Sequence, residues 1–186
     1  MTGNKTRMLV EEAAMTKVPV APQSATPVLE LLPPYPIVLA TTRSNVITVN
    51  QVAYFSFRPL RIGVAIAHVR YTYSLLKDEG EFVINIPDAS LMEEVKICGS
   101  RSGRDGDKFV AAGLDREPST QVQATSIARC GAHIECRVER TIPFERRDWF
   151  IGRVVAARKR TDHQGTSALM CGRHNYLLPG KPVAPR

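Results

Sequence analysis

From Leu31 onward the chain is patterned in short runs of β-branched and aromatic residues, separated by clusters that favour turns. Ile37 to Thr42 is apolar and reads as a strand; Ser44-Asn45 marks a turn, and Val46 to Asn50 resumes the strand pattern, predicting a hairpin. Asn50 to Phe57 reads as a polar and aromatic connection. Leu60 to Ala67 is apolar on both faces and predicts a buried strand. A helix follows from Thr72, placed as its N-cap ahead of Ser74-Leu75-Leu76-Lys77-Asp78-Glu79, with Gly80 where it stops. Phe82 to Ile86 is again strand-like. Residues 88–97 and 105–112 allow two short helices capped by Asp88 and Asp105.

Between Cys130 and Val138 the alternation is clean. Cys130, Ala132, Ile134, Cys136 and Val138 point one way, while His133, Glu135, Arg137 and Glu139 point the other, as in a half-buried antiparallel strand. Trp149 to Ala157 gives another strand, in which Gly152 permits close packing or a bulge. Strands outnumber helices and lack regular helical crossovers, so the fold class is mainly β, an antiparallel barrel with appended helices rather than a doubly wound sheet. Residues 1–30 form an N-terminal arm, broken by Pro19, Pro22 and Pro27, that is mobile or lies across a neighbouring subunit. Residues 31–186 form the one domain, its body opening at Leu31-Leu32-Pro33-Pro34.

Composition sharpens this only in part. At 186 residues, 44% hydrophobic and 23% charged, the chain is long enough for one globular core. A net charge of +7 favours anionic partners, whether nucleic acid or a phosphorylated cofactor. The basic residues are spread over 58–70, 96–108, 137–160 and the C-terminus, aromatic residues are only 6%, and no zinc-finger or basic heptad spacing occurs, which disfavours nucleic acid. Cys98, Cys130, Cys136 and Cys171 contain no C-x-x-C pair, and His68, His133, His163 and His174 have no metal-like spacing. Reduced, mostly buried thiols, no leader pattern and no apolar run of membrane length make cytoplasmic the default location, without a membrane partner.

The densest chemistry lies between Arg70 and Lys108. An arginine beside a helix N-terminus suits an anion, because unpaired N–H groups and the helix dipole point at it and the guanidinium adds charge-assisted bonds. A polar, glycine-marked segment, Gly99 to Phe109, lies further along. No catalytic triad or carboxylate pair accompanies them, and without a G-x-G-x-x-G turn no separate Rossmann module for a nicotinamide is expected.

Several stretches together resemble the flavin reductase-like family of FMN-binding split barrels, and in particular its flavoredoxin branch. They are Thr41-Thr42, Asn45-Val46-Ile47-Thr48, Arg70-Tyr71-Thr72-Tyr73, Gly80-Glu81-Phe82-Val83-Ile84-Asn85-Ile86-Pro87, Ser102-Gly103-Arg104-Asp105-x-Asp107-Lys108-Phe109, Gly113-Leu114 and Phe150-Ile151-Gly152-x-Val154. The resemblance implies a six-stranded antiparallel Greek-key barrel that forms a homodimer, with FMN in a groove near the dimer interface. It implies that Arg70, Thr72 and Tyr73 begin a helix that holds the FMN phosphate. Asn45 would contact the flavin, Val46, Ile47, Thr48 and Gln51 would run their backbone along the isoalloxazine edge, and Ser102 and Gly103 would lie near the cofactor. Lys108 would sit where reduced flavin gathers negative charge. Two positions depart from the pattern: Gln51 stands where flavoredoxin-like members have a stacking tryptophan, and Arg147 where a histidine is common. The first change removes stacking worth about 1 kcal/mol; the second replaces a titratable ring by a fixed cation that still offers donors to flavin or a nicotinamide phosphate. The implied activity is an oxidoreductase passing electrons from NADH or NADPH through FMN to a free flavin, a monooxygenase partner or another electron-acceptor protein. The alternative is a non-catalytic FMN-binding electron carrier of the same fold.

Overall fold

The computed structural model describes residues 19–21, 23, 25–163, 169–171 and 175–177. Most of the expected N-terminal arm therefore lies outside the described residues; within it, Ala25–Glu30 forms a short helix, α1, with no buried residue. Twelve strands follow among the described residues. They are β1 (Tyr35–Pro36), β2 (Val38–Thr41), β3 (Val46–Val49), β4 (Val52–Phe57), β5 (Leu60–Ala67), β6 (Glu81–Ile86), β7 (Arg116–Glu117), β8 (Ser126–Ile127), β9 (Ala132–Phe144), β10 (Arg147–Lys159), β11 (Leu169–Cys171) and β12 (Asn175–Leu177). The remaining helices are α2 (Tyr71–Glu79), α3 (Met92–Ser100, entered through a 3-10 turn at Ala89–Leu91) and α4 (Lys108–Ala112).

The main sheet is antiparallel throughout, in the order β3-β2-β6-β9-β10-β5-β4. Four strands separate β3 from β5 in that order. Even so, Ile47 and Val49 of β3 share one buried cluster with Val64 and Ile66 of β5, Phe82 and Ile84 of β6, Cys136 of β9 and Phe150 of β10. Only a sheet curled on itself brings its two ends to a common interior, and the short link Asn50-Gln51 joins its two edge strands, β3 and β4. The molecule is the mainly β split barrel expected. The main sheet has seven strands rather than six, because Val52–Phe57, read from sequence as a connection, pairs with β5.

Period-two alternation explains why β2 is buried throughout. Val38 and Ala40 face the barrel interior. Ile37 and Leu39 face a second core made with Leu91, Val95 and Cys98 of the α3 region and Phe109 of α4. Burying each of the Val, Ile, Leu and Phe side chains among these contributes about 1.5–3 kcal/mol. Gly152 serves both purposes foreseen for it. The β9–β10 register slips between Ile151 and Gly152, and a Cβ at 152 would lie 2.8 Å from the Cys136 Cβ and 2.9 Å from the Phe82 ring.

The β9 alternation differs from the half-buried expectation. His133 and Glu135 occupy the outward side as predicted, but both are buried. A segment spanning 119–125 lies over them: Glu135 accepts from the Thr120 amide (2.8 Å), the Thr120 hydroxyl (2.9 Å) and the Gln121 amide (2.6 Å). Burial pushes the Glu135 carboxyl upward, yet these bonds outweigh it and leave the group below the usual carboxylate range. Neighbouring Glu81 accepts from Gln123 and Ala124 amides at 2.7 and 3.1 Å. Cys130 precedes β9 and packs in the helix-side core, whereas Cys136 packs inside the barrel, so the two do not share a face. Among the described residues, no helix is long and apolar enough to cross a membrane.

Candidate functional site

Helix α2 is capped two residues earlier than its sequence suggests. Arg70 is the N-cap, extended at φ −80°, ψ 137°, and makes no side-chain cap bond. Thr72 falls inside the first turn and is not the cap. Gly80 ends the helix in the left-handed conformation at φ 66°, its amide donating to the Leu76 carbonyl, as the sequence predicts. The segment after α3 approaches the same point. Asp107, not Asp105, caps α4 by accepting from the Phe109 amide at 2.9 Å, and Arg116 holds its other oxygen at 2.7 Å.

These two helix starts and the β2–β3 hairpin enclose a pocket. It is lined by Asn45 and Ile47 from the hairpin, Val69 to Thr72 from the start of α2, and Arg101, Ser102, Gly103 and Lys108 from the approach to α4. Its lining includes three cations and no carboxylate. The Tyr71 and Thr72 amides of the first turn of α2 belong to the same wall, whereas the Tyr73 amide donates to the Arg70 carbonyl at 2.9 Å.

Lys108 is the most unusual member. It is 3% exposed, and its ammonium donates to the Cys98 carbonyl at 2.9 Å. Burial pushes its pKa down from 10.5 to about 8, with Cys98 opposing and the Arg70 guanidinium reinforcing the fall. Two cations thus press on one another at a site whose lining supplies no anion. Cys98 itself is a buried thiol pushed up to about 11 by the same desolvation, so it is no nucleophile.

Hairpin and helix are tied by Asn45, whose Nδ2 donates to the Thr72 hydroxyl oxygen at 2.8 Å. Gly103 is packed against this amide. A Cβ there would fall 2.3 Å from the Asn45 Oδ1 and 2.9 Å from the Tyr71 ring, so only glycine lets the Ser102-Gly103 backbone approach so closely.

Seven of the twelve residues singled out from sequence meet at this pocket: Asn45, Ile47, Arg70, Thr72, Ser102, Gly103 and Lys108. The other five do not line it. Tyr73 turns to the far side of α2, its hydroxyl donating to the Asp148 carboxylate at 2.9 Å and its ring tilted over His68, which itself bonds Asp148 at 2.7 Å. Helical geometry explains the separation, since residues 72 and 73 project about 100° apart. His68 is therefore a half-exposed partner of a buried aspartate. Val46 is wholly buried in the helix-side core. The Thr48 hydroxyl bonds the Val95 carbonyl of α3. Gln51 and Arg147, the two departures from the family pattern, are hydrogen-bonded to one another at the exit of β3. Val69, Tyr71 and Arg101 are pocket residues that the sequence did not single out. Tyr71 sits between two marked residues and Arg101 directly before Ser102, so contiguity was the only signal for either.

Residues 32–177 match the model of the flavin reductase like domain. Among curated relatives, an uncharacterised protein of Archaeoglobus fulgidus is 37% identical over 121 residues, covering 65% of this chain and 68% of its own. One of Pyrococcus abyssi is 36% identical over 113 residues, covering 61% of this chain and 64% of its own, so the match takes in less than two thirds of that relative's length. Solved structures share the fold at lower identity. The flavoredoxin of Desulfovibrio vulgaris superposes with a TM-score of 0.79 at 21% identity over 90% of this chain and 97% of that one. Component B of nitrilotriacetate monooxygenase from Bacillus cereus gives 0.81 at 18% over 91% and 99%. An FMN-binding protein from Thermus thermophilus gives 0.80 at 23% over 91% and 100%. With a family model covering most of its length and its barrel, the chain belongs to the flavin reductase-like family.

Proposed function

We propose that this pocket receives the phosphate of FMN and that the protein is an oxidoreductase using NADH or NADPH as electron donor. The observation that carries the reading is Lys108: a buried ammonium whose protein partner is a carbonyl, beside Arg70, in a wall without carboxylates. Such a cluster is electrostatically incomplete, and a dianionic phosphate completes it through charge-assisted bonds from Arg70, Lys108 and the first-turn amides of α2. The residues present therefore fit the group that the family implies. When bound, FMN supplies the redox chemistry, accepting hydride from a nicotinamide and passing electrons onward.

The chain's own part is to bind, orient and polarise. Arg70 and the α2 amides fix the phosphate end. The β3 backbone, its Val46 and Thr48 side chains turned into the protein and its place at the end of the sheet leaving one side without a strand partner, is the edge along which a flavin ring would lie. Gln51 and Arg147 together stand at the far end of that edge, where the guanidinium, held by the amide oxygen, presents its remaining donors. The electron acceptor is a free flavin or a protein such as a monooxygenase component. The functional unit in this reading is a homodimer, to which the exposed aromatic residues of β4, Tyr54, Phe55 and Phe57, would contribute an interface.

Anaerobic mixing of the purified protein with FMN and either nicotinamide tests the activity. Rapid loss of flavin absorbance near about 450 nm supports the reductase. Flavin that binds but stays oxidised points instead to an electron carrier, and no binding at all overturns the reading.

A further inference from the structure

We propose that Asn45 is a positioning residue that aims the Thr72 hydroxyl proton into the pocket, so that Thr72 meets the phosphate as a donor. The inference rests on the phosphate reading of that pocket. Resemblance alone gives Asn45 a contact with the flavin; the geometry gives it a different partner. Asn45 is 2% exposed, and its position is fixed at both backbone ends of the turn. Its amide is donated to the Thr42 hydroxyl at 3.3 Å and its carbonyl accepts from the Thr42 amide at 3.0 Å. Its side-chain Nδ2, which can only donate, reaches Thr72 Oγ1 at 2.8 Å.

A hydroxyl has one proton and two lone pairs. With one lone pair taken by Asn45, the Thr72 proton must point elsewhere. Serine and threonine in helices commonly direct that proton to a carbonyl one turn back, as Ser74 does here to the Tyr71 carbonyl at 2.8 Å. Thr72 makes no such bond among the described residues, and it is a lining residue of the pocket. The asparagine amide packs against Gly103, where a side chain would collide with Oδ1. An aspartate at 45 would have nearly the same shape but no N–H. It would accept the Thr72 proton, and the threonine would then turn its lone pairs toward the anion.

The test is a fluorescence titration at pH 7 with FMN and with riboflavin, which carries the same ring without the phosphate. Wild type, N45D, N45A, T72V and the N45D/T72V and N45A/T72V double variants are compared, with circular dichroism checking that each folds. The expected result is that N45D loses FMN affinity by about 30-fold or more while riboflavin changes by less than about threefold. With valine at 72 there is no proton to redirect, so the N45D loss shrinks by about fivefold or more. If N45D does not fold, N45A carries the test, with a phosphate-selective loss of about three- to tenfold that disappears in the T72V background. Unchanged FMN binding in the variant overturns the inference. Equal loss of both ligands does so too, because it would make Asn45 a ring contact. A loss as large in the T72V background as with threonine would reduce it to charge repulsion alone. Wild-type protein that binds riboflavin as tightly as FMN is a separate result, and it would overturn the phosphate reading itself.

Discussion

At the scale of single residues, Lys108 governs both the site and its pH dependence. Its folded pKa, about 8, lies below its ordinary 10.5. Between those values the unfolded chain binds more protons than the native one, so the stability of the ligand-free protein rises as pH rises through that window, by on the order of 3 kcal/mol. Urea unfolding at pH 7.5 and pH 10 measures this. Wild type should gain relative to Lys108→Met at the higher pH, and identical pH profiles for the two proteins would contradict the assignment. FMN affinity should move the other way, weakening above about pH 8 where the free site must take up a proton to bind. Arg70→Ala should weaken FMN by about 1.5–3 kcal/mol, the value of a hydrogen bond to a charged group, leaving riboflavin nearly unaffected. Equal losses for both ligands would remove Arg70 from the phosphate end.

Elements show which features could be read without coordinates. Leu60–Ala67 was legible to the residue, because apolar residues on both faces admit few alternatives to a buried strand. The hairpin of β2 and β3 was legible from its turn. Helix caps were less so: Thr72 and Asp105 are both good cap residues, but Arg70 and Asp107 take the role. For Asp107 the reason is tertiary, since Arg116, nine residues on, holds the carboxylate that caps α4. The burial of His133 and Glu135 was invisible for the same kind of reason. Local alternation shows two faces but not that the amides of 120 and 121 fold over the polar one. The pocket itself was legible in more than half of its lining because three short motifs meet there, while Tyr73 was carried along by its neighbours and faces Asp148. Gly103 makes that convergence testable. Gly103→Ala places a methyl inside contact with the Asn45 amide and the Tyr71 ring, and should lower stability by about 1–3 kcal/mol and FMN affinity with it. A variant as stable as wild type with unchanged affinity would show that the approach is not tight.

For the whole molecule, the curled sheet places the proposed phosphate pocket and its β4 edge on one continuous barrel. The barrel interior closes around Phe82 and Phe150, while β4 leaves Tyr54 and Phe57 66% and 73% exposed, which is costly for a monomer in water. In sedimentation, Phe57→Glu should convert the proposed dimer to a monomer, and a dimer that survives the charge would place its interface elsewhere. The central claim concerns the cluster of Arg70, Lys108 and the start of α2, and a crystal structure of the protein grown with FMN tests it most directly. The predicted result is a phosphate within hydrogen-bonding distance of the α2 first-turn amides, Arg70 and Lys108, with the flavin ring along β3. A phosphate bound away from the α2 start, or a pocket left empty at saturating FMN, would contradict it.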